Sequence, residues 1–381
     1  SDQFQIAGGW GGGTFVGSVG VTLNNLSIKN FFKKGAWRPY PMGQNQRLSI
    51  SAQTNGTYYK AFAISFTDPW MGGRKPNSFT ISAHYSDENN AYYAWQKGTR
   101  YFRTAGVAAG LGKRLDWPDP YFTFYAEASY ERYMLKDWNT FVLKNGAANL
   151  LSIRLVLGRN SVDQPIYPRR GSDFSVSVQL TPPYSLWDGK DYKSTALSEQ
   201  ERYNWIEFHK WMLKGQWFTP LTRNGNLVLM ARAEMGYLGH YNKNKVSPFE
   251  RFEVGGDGMT GYNMYGIDII SMRGYDDGAL DPVGSNYSCA YNKYTMELRY
   301  PLLLKGQTNI YVLGFLEGGN GFTSWKEFSP FKIKRSAGIG VRLFLPVVGM
   351  VGVDWGWGFD PAAGQTKRSG SHIHFTMGMQ F

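Results

Sequence analysis

The sequence has little of what many functional sites are built from. It contains one cysteine, Cys289, and five histidines in 381 residues, so an internal disulfide framework and a multi-cysteine zinc or iron–sulfur site are excluded. Long apolar runs are missing too. The longest, such as residues 344–348, fall far short of the roughly 18 residues that a membrane-spanning helix needs. A helical membrane protein is therefore excluded.

Acidic residues are scarcer than basic ones, 29 against 41, which gives a formal net charge of +12. The basic residues are dispersed, and no helical or zinc-finger motif for nucleic-acid recognition accompanies them, so we expect no nucleic-acid partner. No catalytic triad, carboxylate pair or nucleotide-binding signature stands out. We therefore predict no enzymatic activity and no cofactor. His372 and His374 share one strand face but lack a third ligand, so no metal site is predicted.

Aromatic residues and glycine are abundant, at 16% of the chain and 46 residues respectively. They alternate with period two. In residues 351–360, Val, Trp and Phe occupy the odd positions and Gly and Asp the even ones. Small and polar residues on one face of a long strand, with aromatics on the other, are typical of a transmembrane barrel with a polar lumen. A soluble sandwich, the less favoured alternative, would bury the apolar face.

Sixteen candidate strands follow one another, an even number, as a single-chain outer-membrane barrel requires. They lie near residues 3–10, 14–23, 47–53, 58–67, 78–87, 100–112, 121–135, 148–159, 171–181, 203–216, 225–239, 291–300, 308–319, 335–345, 349–360 and 372–381. Connections after even-numbered strands are mostly short, whereas 182–202 and 240–290 are long. We predict an all-β fold: one transmembrane antiparallel β-barrel of about 16 strands over residues 1–381, integral to the bacterial outer membrane, with both termini periplasmic.

The long connection 240–290 carries the most distinctive motifs. These are Phe252-Glu253-Val254-Gly255-Gly256 and Met272-Arg273-Gly274-Tyr275-Asp276. Further motifs follow the same order along the chain: Asp68-Pro69-Trp70, Tyr167-Pro168-Arg169-Arg170-Gly171, Thr295-Met296-Glu297-Leu298-Arg299-Tyr300-Pro301 and a final Phe381. Together they resemble the BamA family of outer-membrane β-barrel assembly proteins, over nearly the whole chain.

The resemblance implies that loop 240–290 is extracellular and folds back to plug the lumen, where Arg273 meets Glu297 and Glu317 on the inner walls of the next strands. The implied loop residues are Gly255, Gly256, Met272, Arg273, Gly274 and Tyr275. Alternation independently places Glu297 on the polar face. Glu317 is less regular, because Leu313 and Phe315 share its face. Without the family pattern, Arg273 would be read as an ordinary exposed loop arginine. The insert 258–270 between the two loop motifs is longer than the resemblance leads us to expect.

The first strand is rich in glycine. Each interior glycine weakens a strand by roughly 0.5–1 kcal/mol relative to alanine, so we expect its pairing with the last strand to be the weakest seam. A simple bend or bulge is the alternative. In the BamA family this seam is the lateral gate, which makes the gate candidates Phe4, Ile6, Gly8, Gly9, Trp10, Phe375, Met377, Met379 and Phe381. The last strand also resembles the β-signal of outer-membrane proteins.

By resemblance, the chain is the barrel portion of an insertase that folds and inserts β-barrel proteins into the bacterial outer membrane, with N-terminal periplasmic POTRA domains expected upstream. The implied partners are nascent outer-membrane β-barrel proteins, outer-membrane lipids, accessory lipoproteins of an assembly complex and periplasmic chaperones. A protein-translocation pore of the same superfamily and a passive porin-like channel stay open as alternatives. Basic residues at predicted periplasmic turns, such as Lys33, Lys34 and Arg38, are expected to meet anionic lipid or acidic partners, or merely to snorkel.

Overall fold

The computed structural model describes residues 3–11, 14–56, 58–73, 77–91, 98–139, 141–258, 266–284, 287–305, 308–345 and 349–377. Its strands are β1 (Gln3–Gly11), β2 (Thr14–Leu26), β3 (Gln46–Asn55), β4 (Tyr59–Asp68), β5 (Asn77–Asn89), β6 (Tyr101–Arg114), β7 (Phe122–Lys136), β8 (Gly146–Asn160), β9 (Gly171–Leu180), β10 (His209–Pro220), β11 (Val228–Gly239), β12 (Phe252–Val254), β13 (Asp268–Ile270), β14 (Ala290–Lys305), β15 (Thr308–Phe322), β16 (Lys334–Leu345), β17 (Gly349–Pro361) and β18 (Arg368–Met377). None of the helices in these ranges is long and apolar enough to cross a membrane.

Sixteen of these strands form one sheet, in chain order, from β1 to β11 and then from β14 to β18. The short strands β12 and β13 pair with each other inside the long connection. The prediction of an all-β fold with about sixteen antiparallel strands is therefore confirmed.

The tenth strand of the sheet begins later than its alternation predicts, at His209 instead of near residue 203. A short helix, α1 (Glu199–Tyr203), occupies the preceding residues. The Ser198 hydroxyl accepts from the Glu201 N–H at 3.2 Å, and the Glu201 carboxylate accepts from the Ser198 N–H at 3.1 Å. This reciprocal capping satisfies two otherwise unpaired donors and fixes the start of the helix.

The two faces of the sheet are reversed relative to a soluble protein. In β17, Gly352, Asp354, Gly356 and Gly358 are buried, whereas the alternate apolar residues are exposed. Those exposed residues are Val353 at 44%, Trp355 at 45%, Trp357 at 40% and Phe359 at 42%. A row of aromatic side chains that faces outward implies surroundings other than water.

The chain divides into two compact units. Unit 1 comprises residues 1–156, 179–209 and 240–248, and unit 2 comprises residues 157–178, 210–239 and 249–381. The expectation of a single domain stays a prediction.

Unit 1 contains a buried cluster of connecting residues, Ser185, Tyr192, Glu207 and Lys245, which we call the Lys245 cluster. The Glu207 carboxylate accepts from the Ser185 N–H at 2.8 Å and from the Ser185 hydroxyl at 2.5 Å. Lys245 Nζ lies 3.7 Å from Glu207 Oε2 and 3.3 Å from the Tyr192 hydroxyl. These contacts join the 181–208 connection to the start of the 240–290 connection.

Unit 2 contains an apolar core on the inner face of the sheet. Its buried members are Tyr167, Phe218, Val228, Met230, Tyr311, Leu313, Phe315 and Met350. The Tyr167 hydroxyl donates to the Asn226 carbonyl at 2.7 Å and the Arg299 carbonyl at 2.9 Å. Leu313 and Phe315 belong to this core, which explains why they share a strand face with Glu317: the inner face carries an apolar layer beside a layer of charged residues.

Candidate functional site

The two glycine-containing motifs of the long connection are hydrogen-bonded to each other. Met272 N–H donates to the Gly256 carbonyl at 2.8 Å, and Gly256 N–H donates to the Tyr275 carbonyl at 3.1 Å. Gly255 and Gly256 have φ values of +136° and +71°. A Cβ at Gly255 would lie 2.3 Å from the Asp276 carbonyl oxygen, so only glycine permits this approach. The Gly-Gly pair therefore packs against the Met-Arg-Gly-Tyr turn and holds it by hydrogen bonds.

Arg273 is buried in a set of carboxylates. Its Nη2 lies 2.7 Å from Glu297 Oε1 and 2.6 Å from Glu317 Oε1. Its Nε lies 3.1 Å from Glu317 Oε1, and its backbone N–H donates to Glu317 Oε2 at 2.9 Å. The guanidinium also lies over the Phe315 ring, 3.7 Å from the centroid. The structure thus brings together the three charged residues that the resemblance implies.

A third carboxylate, Asp354 of β17, lies 3.6 Å from Arg273 Nη1. Two strand arginines complete the set, which we call the Arg273 cluster. Arg342 donates to both oxygens of Asp354, at 2.8 and 2.7 Å, and Arg299 lies 2.8 Å from Glu297. With Lys293, whose Nζ lies 3.9 Å from Glu317 Oε1, four cations surround three carboxylates, and a bidentate pair such as Arg342–Asp354 fixes orientation as well as charge. Alternation placed Asp354 on the polar face, but nothing in the sequence showed that it meets Arg273.

At Gly274 and Tyr275 the loop packs against β16 and β17. Gly274 has φ +86°, and a Cβ there would lie 2.8 Å from Ser336 Cβ and 2.9 Å from the Gly358 nitrogen. A Cβ at Gly356 would lie 2.8 Å from the Gly274 nitrogen. Tyr275 is fully buried, and its hydroxyl donates to the Arg335 carbonyl at 2.8 Å. The glycines on the inner face of β17 therefore provide the space for the loop backbone.

The loop also holds the last strand, β18. Gly274 N–H donates to His374 Nε2 at 2.8 Å, and Asp276 Oδ1 lies 3.1 Å from His372 Nδ1. The backbone N–H of Phe375 donates to Asp257 Oδ2 at 3.1 Å. Both histidines thus contact the loop, and the described residues contain no cluster of three or more metal-ligating side chains.

A second ion cluster, formed by the buried Lys210 and Glu250 and the partly exposed Asp268, anchors the loop before its insert and near the end of the insert. Lys210 Nζ of β10 lies 3.2 Å from Glu250 Oε2 and 2.7 Å from Asp268 Oδ2, and it donates to the Gly266 carbonyl at 3.3 Å. It also lies 5.1 Å from the centroid of the buried Phe252 ring. No spacing in the sequence predicted this cluster, because its members lie up to 58 positions apart (268 − 210).

The structure describes seven of the nine gate candidates. Backbone pairing places Phe4, Ile6, Gly8, Gly9 and Trp10 in β1, opposite Val21, Val19, Gly17, Val16 and Phe15 of β2. Phe375 is 54% exposed, and Phe375 and Met377 pair with Val353 and Val351 of β17. Met379 and Phe381 lie outside the described residues. The assignment of all nine residues to a gate stays a prediction.

Comparison with known proteins gives the class. A family model described as the Omp85 superfamily domain matches residues 42–381, so the chain belongs to the Omp85 superfamily. Outer membrane protein assembly factor BamA of Neisseria meningitidis serogroup B is 23% identical over 319 residues, which are 78% of this chain and 32% of that protein. The chain therefore spans about a third of the length of this curated relative.

Solved structures agree on the fold. BamA from Haemophilus ducreyi lacking POTRA domains 1–3 aligns with a TM-score of 0.65 at 17% identity, covering 98% of this chain and 68% of that one. CdiB from Escherichia coli aligns with a TM-score of 0.55 at 12% identity, covering 98% of this chain and 66% of that one. The resemblance to a BamA-family barrel is thus confirmed, and the chain is an integral outer-membrane protein. The periplasmic placement of its termini stays a prediction.

Proposed function

We propose that this chain is the barrel portion of an insertase that folds β-barrel proteins into the bacterial outer membrane through a lateral gate between β1 and β18. In hydrocarbon an unpaired backbone polar group costs on the order of several kcal/mol, so an incoming strand needs an edge to pair with. A barrel that opens at one seam supplies that edge. The client strand then pairs by β-augmentation, and the client's own pairing drives its release.

One observation carries the proposal: a single loop turn binds both the inner walls and the last strand. Arg273 reaches β14, β15 and β17 through carboxylates, while Asp257, Gly274 and Asp276 reach β18. Such a turn is suited to brace a strand that moves at a gate.

The proposed partners follow from this role. They are nascent outer-membrane β-barrel proteins as clients, outer-membrane lipids around the barrel, accessory lipoproteins of an assembly complex, and periplasmic chaperones that deliver clients. POTRA domains upstream of this chain would receive those clients. The proposed reaction uses strand pairing as its driving force, so it requires no catalytic residue and no nucleotide.

Substitution of Arg273 tests the brace. Arg273→Ala and Arg273→Lys would be made in the full-length protein, in a host depleted of its own copy, and the folded fraction of client barrels would be measured by heat-modifiability. We expect Arg273→Ala to lose most client assembly and Arg273→Lys to lose part of it. An ammonium group cannot bind several carboxylates at once as the planar guanidinium does. Arg335→Ala is the matched control, since its side chain is 65% exposed in a pair with Asp360. Normal client assembly by a folded, fully expressed Arg273→Ala protein would refute the brace.

Disulfide locking tests the gate itself. Cysteine pairs would be scanned between residues 4–8 and 373–377 in a Cys289→Ser background, and client assembly measured with and without reductant. Loss of assembly that reductant restores would support the gate. Unimpaired assembly with a complete crosslink would exclude it. Large single-channel conductance with one dedicated passenger would favour a translocation pore instead, and steady solute flux would favour a porin.

A further inference from the structure

The connection between β2 and β3, residues 27–45, leaves an unusual group of apolar side chains in the open. Phe32 is 93% exposed and Trp37 is 54% exposed. The others, all between 41% and 48% exposed, are Ile28, Phe31 and Met42. The Phe31 ring contacts the rings of Phe32 and Trp37 edge to face. Contiguous exposed apolar groups mark a surface that meets a membrane or a partner.

This exposure does not come from a lack of local structure. Ser27 N–H donates to the Pro41 carbonyl at 2.9 Å, and Ile28 N–H donates to Gln46 Oε1 at 2.8 Å. The Trp37 indole N–H donates to the Phe31 carbonyl at 3.0 Å. Backbone and side-chain hydrogen bonds therefore form the connection, and although Tyr40 is buried, its other large apolar side chains are exposed.

The charges in the same connection have one sign. Residues 27–45 contain Lys29, Lys33, Lys34 and Arg38 but no Asp or Glu, so three lysines and one arginine give a local net charge of +4. Another turn at the same edge of the sheet differs. Residues 115–121, between β6 and β7, hold Trp117, 83% exposed, between Asp116 and Asp119. An exposed aromatic is thus common to both turns, but only 27–45 has an excess of positive charge, because Asp116 and Asp119 offset Lys113 and Arg114 at the second turn.

The strands that the connection joins, and their neighbour β4, carry an outward apolar face. Val19 of β2 and Ile50 of β3 are each 50% exposed, and Phe62 of β4 is 54% exposed. In an integral outer-membrane protein that face contacts lipid. The connection therefore lies at the end of two strands whose outward face lipid covers.

We propose that residues 27–45 are a membrane anchor that binds an anionic phospholipid surface. Phe31, Phe32 and Trp37 lie at the boundary between acyl chains and headgroups, where aromatic side chains partition favourably. The four cations contact lipid phosphates, and each strengthens binding to an anionic leaflet. An acidic protein surface would satisfy the charges, but it would not supply the apolar surroundings that lipid supplies to exposed aromatic rings. This inference does not depend on the proposed insertase activity.

A fluorescent probe at position 32 tests the anchor. Phe32→Cys, and separately Trp117→Cys, would be labelled with an environment-sensitive dye in a Cys289→Ser background and reconstituted into phosphatidylcholine vesicles with or without phosphatidylglycerol. Quenching by lipids with a spin label near the headgroup reports depth. We expect strong quenching at position 32 that increases with phosphatidylglycerol and falls with salt, and weaker, lipid-independent quenching at position 117.

Charge variants separate lipid binding from simple proximity to the bilayer. Each of Lys33→Gln, Lys34→Gln and Arg38→Gln should lower the ratio of lipid-bound to free connection about fivefold on phosphatidylglycerol vesicles, with no change on pure phosphatidylcholine. Because these side chains are exposed, folding should be unaffected, and heat-modifiability checks this. Quenching at position 32 equal to that at position 117 in every lipid would overturn the proposal. Protection that appears only when outer-membrane proteins are added would overturn it in favour of a protein partner.

Discussion

The Arg273 cluster and the Lys245 cluster both bury a cation of the same long connection, but they are built differently. Arg273 meets three carboxylates that stand on three different strands. Lys245 lies 3.7 Å from one carboxylate, Glu207, whose short hydrogen bonds come from Ser185. The comparison shows that the planar guanidinium of an arginine is used where one side chain must fix the geometry of several strands. The ammonium of a lysine is used where local hydrogen bonds already hold the chain.

The two cations also differ in how firmly they hold their charge. Burial lowers the pKa of the Lys245 amine, and the raising influence of Glu207 does not fully offset it. A guanidinium keeps its charge under nearly all conditions. The Arg273 cluster is therefore a constant electrostatic contact, whereas the charge of Lys245 is more easily lost.

The largest expected effect is that of Arg273→Ala. Removal of the guanidinium leaves Glu297, Glu317 and Asp354 buried with fewer cations, and breaking such a buried set costs about 3–5 kcal/mol. Urea unfolding of the purified barrel in lipid would measure the loss. Arg368→Ala, which removes an exposed arginine of β18, serves as control. A loss no greater than that of the control would contradict the central place given to Arg273.

A buried acid of the same loop, Asp281, extends this comparison of buried charges. One of its oxygens has no hydrogen-bond partner among the described residues. Its other oxygen accepts from Val254 N–H at 3.1 Å and the Ser288 hydroxyl at 2.5 Å. Burial raises the pKa of Asp281 from 3.8 to about 8. The folded state thus keeps a proton that the unfolded chain has lost, so stability falls as pH rises from about 4 to about 8, by on the order of a few kcal/mol, and then levels off.

Asp281→Asn should remove this pH dependence and raise the unfolding midpoint at pH 8, since an amide keeps the accepting oxygen without charge. Thermal unfolding from pH 4 to 9 measures it. Asp191→Asn, at an exposed position of the 181–208 connection, is the control. An unchanged pH profile in Asp281→Asn would show that Asp281 is ionised in the fold.

Lys245→Met should cost less than Arg273→Ala, about 1–2 kcal/mol, because Glu207 keeps both hydrogen bonds from Ser185. The same urea titration measures this difference, with the exposed Lys243→Met as control. If Lys245→Met destabilises as much as Arg273→Ala, the contrast between guanidinium and ammonium is wrong.

The smallest effect is expected at Asp257, whose carboxylate accepts from the Phe375 N–H of β18. Asp257→Ala removes that acceptor, and the Phe375 amide should exchange with solvent about tenfold faster, the equivalent of about 1.4 kcal/mol. Hydrogen exchange of that amide is the measurement. Asp276→Ala is the comparison variant, because Asp276 contacts the His372 side chain and no backbone N–H of β18. Equal exchange in both variants would mean that Asp257 does not hold the strand.

Features that depend on alternation could be predicted without the structure. A period of two assigns each residue to a face, so the strand set, the outward row of Val353 to Phe359 and the inward placement of Glu297 followed from local pattern alone. The start of β10 could not be placed this way, because α1 is fixed by a capping box that competes with a strand pattern.

Contacts between distant residues set the limit of that reasoning. Lys210 meets Glu250 and Asp268 only because one turn of the loop passes β10, and alternation does not say which strands a loop crosses. The exposed ring cluster at 31–37 was also missed. Its basic residues were visible in the sequence, but the exposure of its aromatics depends on how residues 27–45 fold.

Local pattern along the chain is enough to establish the class of fold, the polar and apolar faces of each strand, and the motifs that resemble the BamA family. These are properties of neighbours along the chain, whose side chains alternate by backbone geometry. Three contacts could be found only in the folded chain: Asp354 meets Arg273, Gly356 and Gly358 make room for Gly274, and Asp257 accepts from an N–H of β18. Each of these contacts joins residues about 80 to 120 positions apart, and such pairs meet only when the strands are laid side by side and the loop is packed against them.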